Sequence, residues 1–320
     1  MLILSNEDIG RLLSLTEIIE AVEDALLALE KDTCMVPERM HLDWEDNSLL
    51  LMPALSSTHY GTKLVSVIPS NSGNSLPVTN GAMVLNDRST GLPVAFFNAS
   101  RLTALRTGAL GAVGLKYLTH ENSDTIGLIG SGIQGMHQAI FACNVRPIKK
   151  VFVLVHPNRG LETFTTFVHQ YYPKVEVIAC NEAEELLRQT EIVITATTAQ
   201  VPVLPENKEL LQGKHFFSIG SFKPSMQELP DAVYELANQL VIDSESARHE
   251  AGDTINPVQK GLIAESEIFT IGKLINKTRQ ADIAGTTVFK STGMALFDLF
   301  VAQAMYKAAI KNSIGTEISF

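Results

Sequence analysis

Cysteine is scarce in this chain. Three thiols, Cys34, Cys143 and Cys180, occur in 320 residues, and no two are spaced as C-x-x-C. That excludes a disulfide framework and zinc-finger spacing, and it fits a reducing compartment. Positive charge is also short: 25 Lys and Arg stand against 35 Asp and Glu, a net charge of −10. So acidic a body repels phosphate backbones, which argues against a nucleic-acid partner but leaves room for a local cationic pocket that takes a small anion. No apolar run reaches the ~18–20 residues needed to cross a bilayer. The first residues, MLILSNEDIG, lack the basic region of a signal peptide. The expectation is a soluble, cytoplasmic protein with no membrane partner. The eight histidines show no H-x-x-x-H or H-E-x-x-H spacing with a third ligand, so no metal is expected.

What is present is a globular composition, 45% hydrophobic and 19% charged, which excludes disorder. The first third is mixed. Ser5 and Ser14 each precede an acid by three residues, as helix starts do. After Ser14, apolar residues from Leu15 to Leu29 recur at helical spacing, predicting an amphipathic helix over 15–30. Four short β-like runs follow, at 49–52, 63–68, 82–85 and 94–97, separated by Pro, Gly and Asn. They predict an antiparallel sheet, followed by a helix over 99–118. From about residue 124, apolar runs alternate with helical stretches. Six runs, at 125–129, 151–155, 175–179, 192–196, 216–219 and 240–242, predict βαβ units in a parallel sheet. The expected fold is α/β: a Rossmann-type doubly wound parallel sheet over 119–290, plus a discontinuous α+β substrate and dimerisation domain over 1–118 and 291–320. The final helical stretch, 291–311, is expected to return to the first domain.

The segment Gly130-Ser131-Gly132-Ile133-Gln134-Gly135 is a G-x-G-x-x-G between the strand TIGLI and a helix. In that context the three glycines serve a tight turn, a close approach to a pyrophosphate and helix–strand packing. The helix N-terminus then offers free N–H groups to the phosphates. Thr197, beyond the fourth run, is counted with these cofactor-binding residues. An NAD-selective site places Asp or Glu at the end of the second strand to hold the ribose 2′-hydroxyl. Between Val151 and Gly160 there is none; His156, Asn158 and Arg159 stand there and suit a 2′-phosphate. NADP(H) is therefore the preferred cofactor, with NAD(H) also accepted.

Three motifs place cations among apolar or turn residues: PERM with Arg39, GTKLV with Lys63 and TALRTGA with Arg106. Either these are ordinary surface cations or they are buried and need an anion. A substrate carboxylate is one such anion, and Arg grips it bidentately. The stretches GTKLVSVIP, LPVTNGAMVLNDRSTGLPVAFFNASRLTALRTGA, TIGLIGSGIQG, SIGSFKPSMQEL and TTVFKSTGMALFDL make the chain resemble the ornithine cyclodeaminase/mu-crystallin family along nearly its whole length. The resemblance implies a homodimer with a nicotinamide-binding Rossmann domain. It implies that Arg39 and Arg106 clamp the substrate carboxylate, that Lys63 handles the proton, and that Ser291, Thr292 and Gly293 lie near the nicotinamide. Where many family members have Thr or Ser followed by His, this chain has Val78 and Thr79, and Thr79 is the residue left to give a substrate hydrogen bond.

Cyclodeaminases of the family carry an Asp in a G-x-D-x-P loop. Here the loop reads Gly220-Ser221-Phe222-Lys223-Pro224, with Phe222 at the Asp position. The nearest other acid, Glu228, is expected at the start of the following helix. What remains suits reduction of a cyclic imine acid to a cyclic L-amino acid: Δ1-pyrroline-2-carboxylate to L-proline, with the six-membered piperideine analogue, giving L-pipecolate, as a second substrate. The alternatives within the family are alanine dehydrogenase, ornithine cyclodeaminase and a non-catalytic ligand-binding protein.

Overall fold

The structure, a computed structural model, describes residues 1–73, 76–155 and 160–319. Contacts divide the chain into two compact units, Met1–Arg106 with Met294–Phe320, and Thr107–Gly293.

In the first unit both serine caps form. Ser5 and Ser14 accept from the backbone N–H groups of Asp8 and Glu17, whose carboxylates accept from the cap backbones in return. Each box satisfies two N–H groups that a helix start otherwise leaves free. The second helix, Leu15–Glu30, buries Ile18, Ile19, Val22, Ala25 and Leu26, the face its spacing predicts. A sheet follows: β1 (Leu2–Leu4), β2 (Met40–Trp44), β3 (Asn47–Leu55), β4 (His59–Val67), β5 (Thr79–Asp87) and β6 (Pro93–Asn98). The strand Thr316–Glu317 closes one edge, and the spatial order runs from it through β1, β6, β5, β4 and β3 to β2. All pairs are antiparallel except β1 with β6. Alternation gives the sheet two faces. Leu50, Met52, Ala54, Met83, Leu85, Ala95 and Phe97 are buried, and the helix Ala295–Asn312 packs against β3, β4 and β5 and against the helix Leu15–Glu30. The register places Met40, Leu42, Leu64, Phe96 and Ile3 on the opposite face, where all five are exposed.

The second unit is built on eight parallel strands: β7 (Thr125–Ile129), β8 (Lys150–Leu154), β9 (Glu176–Cys180), β10 (Ile192–Thr195), β11 (His215–Ser218), β12 (Ala237–Ile242), β13 (Ile268–Thr270) and β14 (Thr286–Lys290). Their order is β13-β12-β14-β11-β10-β7-β8-β9. Six strands were expected, with 240–242 as the sixth. Instead β14 occupies the sixth place, pairing with β11, and β12 and β13 extend the sheet beyond it. The run TTVFK is β-branched but ends on a lysine, so composition alone did not mark it as a central strand. The chain order reverses between β7 and β10, which makes the carboxyl ends of these two strands the topological switch point where such sheets bind ligands.

The helix Ala99–Leu118 spans the division between units, which the contacts set at 106/107 rather than at the helix end, 118/119. The reason lies in its small residues. A Cβ on Gly111 would come within 1.9 Å of Gln138 Oε1, and Gln138 Nε2 donates to Thr107 O at 2.9 Å. The half of the helix beyond Arg106 therefore lies tight against the helix Ile133–Val145, inside the second unit. Likewise the unit border at 293/294 falls beyond 290/291, because Ser291–Gly293 are bound to Asp243 of β12's carboxyl end, as described below.

Candidate functional site

The glycine loop opens the helix Ile133–Val145 directly after β7. Gly130 has φ +104°, and a Cβ there would lie 2.4 Å from Ala196 O. Gly135 approaches Gly130 O so closely that a Cβ would fall 1.9 Å from it. These two glycines shape the loop itself. Gly132 differs: it is the N-cap, no side chain caps the helix, and a Cβ there would meet nothing within 4 Å. An open face beside uncapped N–H groups at the start of a 13-residue helix fits a pyrophosphate. Ser131 and Gln134 are half-buried and Ile133 is exposed. His156, Asn158 and Arg159 lie outside the described residues.

Three buried carboxylates, Glu228, Asp253 and Asp243, set the neighbouring loops, and none was marked by the sequence reading as a site residue. Glu228 is fully buried. Its Oε1 accepts from the Thr197 N–H (2.7 Å) and hydroxyl (2.9 Å). Its Oε2 accepts from the N–H groups of Gly220 (2.8 Å) and Ser221 (3.2 Å) and from the Ser218 hydroxyl (3.1 Å). So Thr197, expected at the cofactor, has its hydroxyl engaged by Glu228. Glu228 itself precedes the helix Asp231–Leu236 instead of starting it. Asp253 accepts from Ser221 Oγ, Glu228 N and Tyr234 OH, and Lys290 Nζ donates to Ser221 O at 2.6 Å. The third carboxylate is Asp243, whose Oδ2 accepts from Ser291 Oγ (2.9 Å), Thr292 N (3.1 Å) and Gly293 N (2.7 Å). Complete burial pushes the Asp243 carboxyl up from its ordinary value, against those hydrogen bonds. The Thr292 hydroxyl is buried and has no partner among the described residues.

The first unit holds the cations. Lys63 lies in the middle of β4 rather than at its start, and it is 2% exposed. Its Nζ donates to Asp298 Oδ2 at 2.7 Å and to Thr103 Oγ1 at 3.2 Å. Asp298, in the helix Ala295–Asn312, is completely buried. Its other oxygen accepts from Arg106 Nε at 3.3 Å and from the Thr103 hydroxyl at 3.4 Å. Arg106 reaches Asp298 through Nε, so its terminal fork is not spent on that ion pair. Arg39, half-buried ahead of β2, is near enough to act on Lys63 electrostatically. Thr79 is exposed at the start of β5, opposite Val67. Met83 is the residue opposite Lys63, so Thr79 shares that face but lies four positions along the strand and is not brought into the cluster. The buried cations thus already have a protein anion, Asp298, which the sequence reading missed. The signal was there: a single acid inside the apolar run ALFDLFVAQAM.

The Lys63 ammonium is held down to about 8. Burial is the first cause, with the charges of Arg106 and Arg39 in the same direction and Asp298 opposing them. Such a lysine changes protonation within the working range of an enzyme.

A glycine loop with an open face at an uncapped helix start fits a dinucleotide. The fold and site define a nicotinamide-dependent oxidoreductase. The sequence model of the ornithine cyclodeaminase/mu-crystallin family matches residues 1–313, and the chain belongs to that family. It is 34% identical to the Δ1-pyrroline-2-carboxylate reductase of Bacillus cereus, covering 100% of both chains. Among solved structures it is similar to Thermococcus litoralis Δ1-pyrroline-2-carboxylate reductase in complex with NADH and L-proline, at 31% identity and TM-score 0.91, over 99% of this chain and 100% of that one. An archaeal alanine dehydrogenase dimer with bound NAD matches at 31% identity and TM-score 0.91, over 100% of this chain and 99% of that one.

The glycine loop gives a sharp test. Gly132→Ala has open space for its methyl group, so thermal unfolding should be unchanged while dinucleotide affinity, measured by calorimetry, falls at least about tenfold through the lost close approach. Gly135→Ala should destabilise the fold itself. Equal dinucleotide affinity in Gly132→Ala and wild type would remove the pyrophosphate from this loop.

Proposed function

We propose that this protein reduces a cyclic imine carboxylate, Δ1-pyrroline-2-carboxylate to L-proline, with Δ1-piperideine-2-carboxylate to L-pipecolate as a second substrate. The observation that carries the reading is the buried cluster of Lys63, Asp298 and Arg106. Arg106, with Arg39, takes the substrate carboxylate on its terminal fork. Lys63, or a water it orients, supplies the proton that the imine nitrogen takes up as the C=N bond becomes CH–NH. A reduced nicotinamide, when bound, supplies the hydride to the imine carbon. The glycine loop holds the pyrophosphate, and Ser291, Thr292 and Gly293, fixed by Asp243, lie beside the nicotinamide. We assign NADPH as the preferred donor and NADH as the accepted one, because no acid stands between Val151 and Gly160.

Ornithine cyclodeamination needs an acid for the distal amine. Phe222, exposed at the expected position, cannot provide one. Glu228 accepts from five donors and is completely buried, so it is not free to replace it. The alanine dehydrogenase relationship supports a second reading, in which the same clamp takes the open-chain imine of pyruvate and ammonia.

A panel of cyclic imine acids, and of pyruvate with ammonia, separates these readings when nicotinamide oxidation is followed with each cofactor. The expected outcome is that pyrroline-2-carboxylate gives the highest kcat/KM and that L-ornithine releases no ammonia. NADPH should exceed NADH, and Arg159→Ala should erode that preference. Faster turnover of pyruvate with ammonia would make the second reading the right one.

Lys63→Ala should keep the fold and lower kcat by about 10²–10⁴-fold, the range for a lost general acid. A variant retaining more than about a tenth of wild-type kcat shows that another group handles the proton.

We also propose a homodimer in which a second copy covers the exposed sheet face carrying Ile3, Phe96, Leu64, Leu42 and Met40. A contiguous apolar face on a monomer is a liability unless something covers it, and a twofold pairing of one face with itself closes without leaving it exposed. Sedimentation should give twice the chain mass for wild type and the single chain mass for Leu42→Glu. A monomeric wild type at micromolar concentration would contradict this.

A further inference from the structure

Asp298 is assigned no step in the reaction proposed above, yet Lys63 and Arg106 both converge on it. Its carboxylate is divided. Oδ2 takes Lys63 at 2.7 Å, and Oδ1 takes Arg106 at 3.3 Å and the Thr103 hydroxyl at 3.4 Å. The helix Ala295–Asn312 that carries it packs on β4, the strand of Lys63, so the pair is braced from both sides. The charged groups around the Lys63 nitrogen come from three places: Asp298 from this helix, Arg106 from the helix Ala99–Leu118, and Arg39 from the segment before β2. Across the sheet, β3 and β5 set Met52 and Met83 opposite Lys63, neither of them charged.

We infer that Asp298 is the positioning residue of this site: it fixes the Lys63 ammonium and keeps the proton on it, and through its second oxygen it ties that proton to the charge of Arg106. Two cations sharing one buried anion compete for it. Whatever draws Arg106 away from Asp298, above all a carboxylate on its fork, leaves more of the anion to Lys63. An anionic ligand therefore strengthens the hold of Lys63 on its proton as it binds. The inference rests on the imine-reductase reading only for its kinetic consequence; the electrostatic coupling stands in the protein alone.

The test is an NMR titration of protein labelled at the lysine ε-carbons, with the Lys63 signal assigned by its loss in Lys63→Arg. Wild type should titrate at about 8. Asp298→Asn should move the midpoint down by at least about one unit, since a neighbouring opposite charge is worth ~1–3 units. Asp298→Glu, which keeps the charge, should bring it back toward the wild-type value. An Asn variant still titrating near 8, or a Glu variant indistinguishable from the Asn one, overturns the inference. Should the Asn variant fail to fold, Arg106→Gln decides: with the competing cation gone the midpoint must rise, and an unchanged midpoint overturns the inference equally. A wild type that reduces no imine acid while these shifts appear removes the proposed function and leaves the role of Asp298 standing.

Discussion

The arrangement of the first unit depends on one expensive placement, an ammonium group 2% exposed in the middle of a strand. Removing such an ion from water costs several kcal/mol. A lysine lowered from 10.5 to about 8 still disfavours its charged form by about 3 kcal/mol after every interaction is counted. Asp298 offsets much of the burial, and Arg106 takes part of that offset away. The balance leaves Lys63 able to give a proton near neutral pH without a large driving force against it. An exposed lysine holds its proton too firmly to transfer it readily, and a buried one with no anion loses it altogether. The β4 register, the helix Ala295–Asn312 and the helix carrying Thr103 and Arg106 are all needed to hold that balance.

The second unit solves a different problem with the same means. Its loops follow the carboxyl ends of parallel strands, where backbone N–H groups run out of strand partners. Glu228 collects those of Thr197, Gly220 and Ser221, and Asp243 those of Thr292 and Gly293. A carboxylate accepting several N–H bonds satisfies groups that would otherwise be costly to bury. Each acid thereby becomes a staple for loops distant in sequence: Glu228 joins the loops after β10 and β11, and Asp243 joins β12 to the segment after β14. The glycine loop has no such staple. Its N-cap carries no side-chain cap, as suits a helix start that a phosphate completes.

Local signals account for the parts of the fold that were legible in sequence. The serine caps, the apolar stripe of 15–30 and the helix over 99–118 each follow from residues a few positions apart. So do the strand TIGLI and the glycine loop, because one short stretch contains turn, strand and helix start. The strand β14 was missed because its place is set by pairing with β11 and β12, far away in the chain. The buried acids were missed for a similar reason. Asp298 meets Lys63 across 235 positions and Asp243 meets Gly293 across 50, and periodicity carries no information at that range. Lys63 and Arg106 were conspicuous as cations in apolar surroundings; the anion that makes those surroundings tolerable was equally out of place in ALFDLF, but an acid in the first turn of a helix is ordinary and drew no notice.

The most direct test of this account is the pH dependence of kcat/KM for imine-acid reduction by the wild-type protein. In the proposed reaction Lys63 serves as the acid, so its working form is the one present below its ionisation. The account predicts a steady kcat/KM on the acid side of that ionisation and a tenfold fall per pH unit above about 8. A profile that stays level to pH 10, or rises through this range, contradicts the claim that a buried, Asp298-held ammonium supplies the proton.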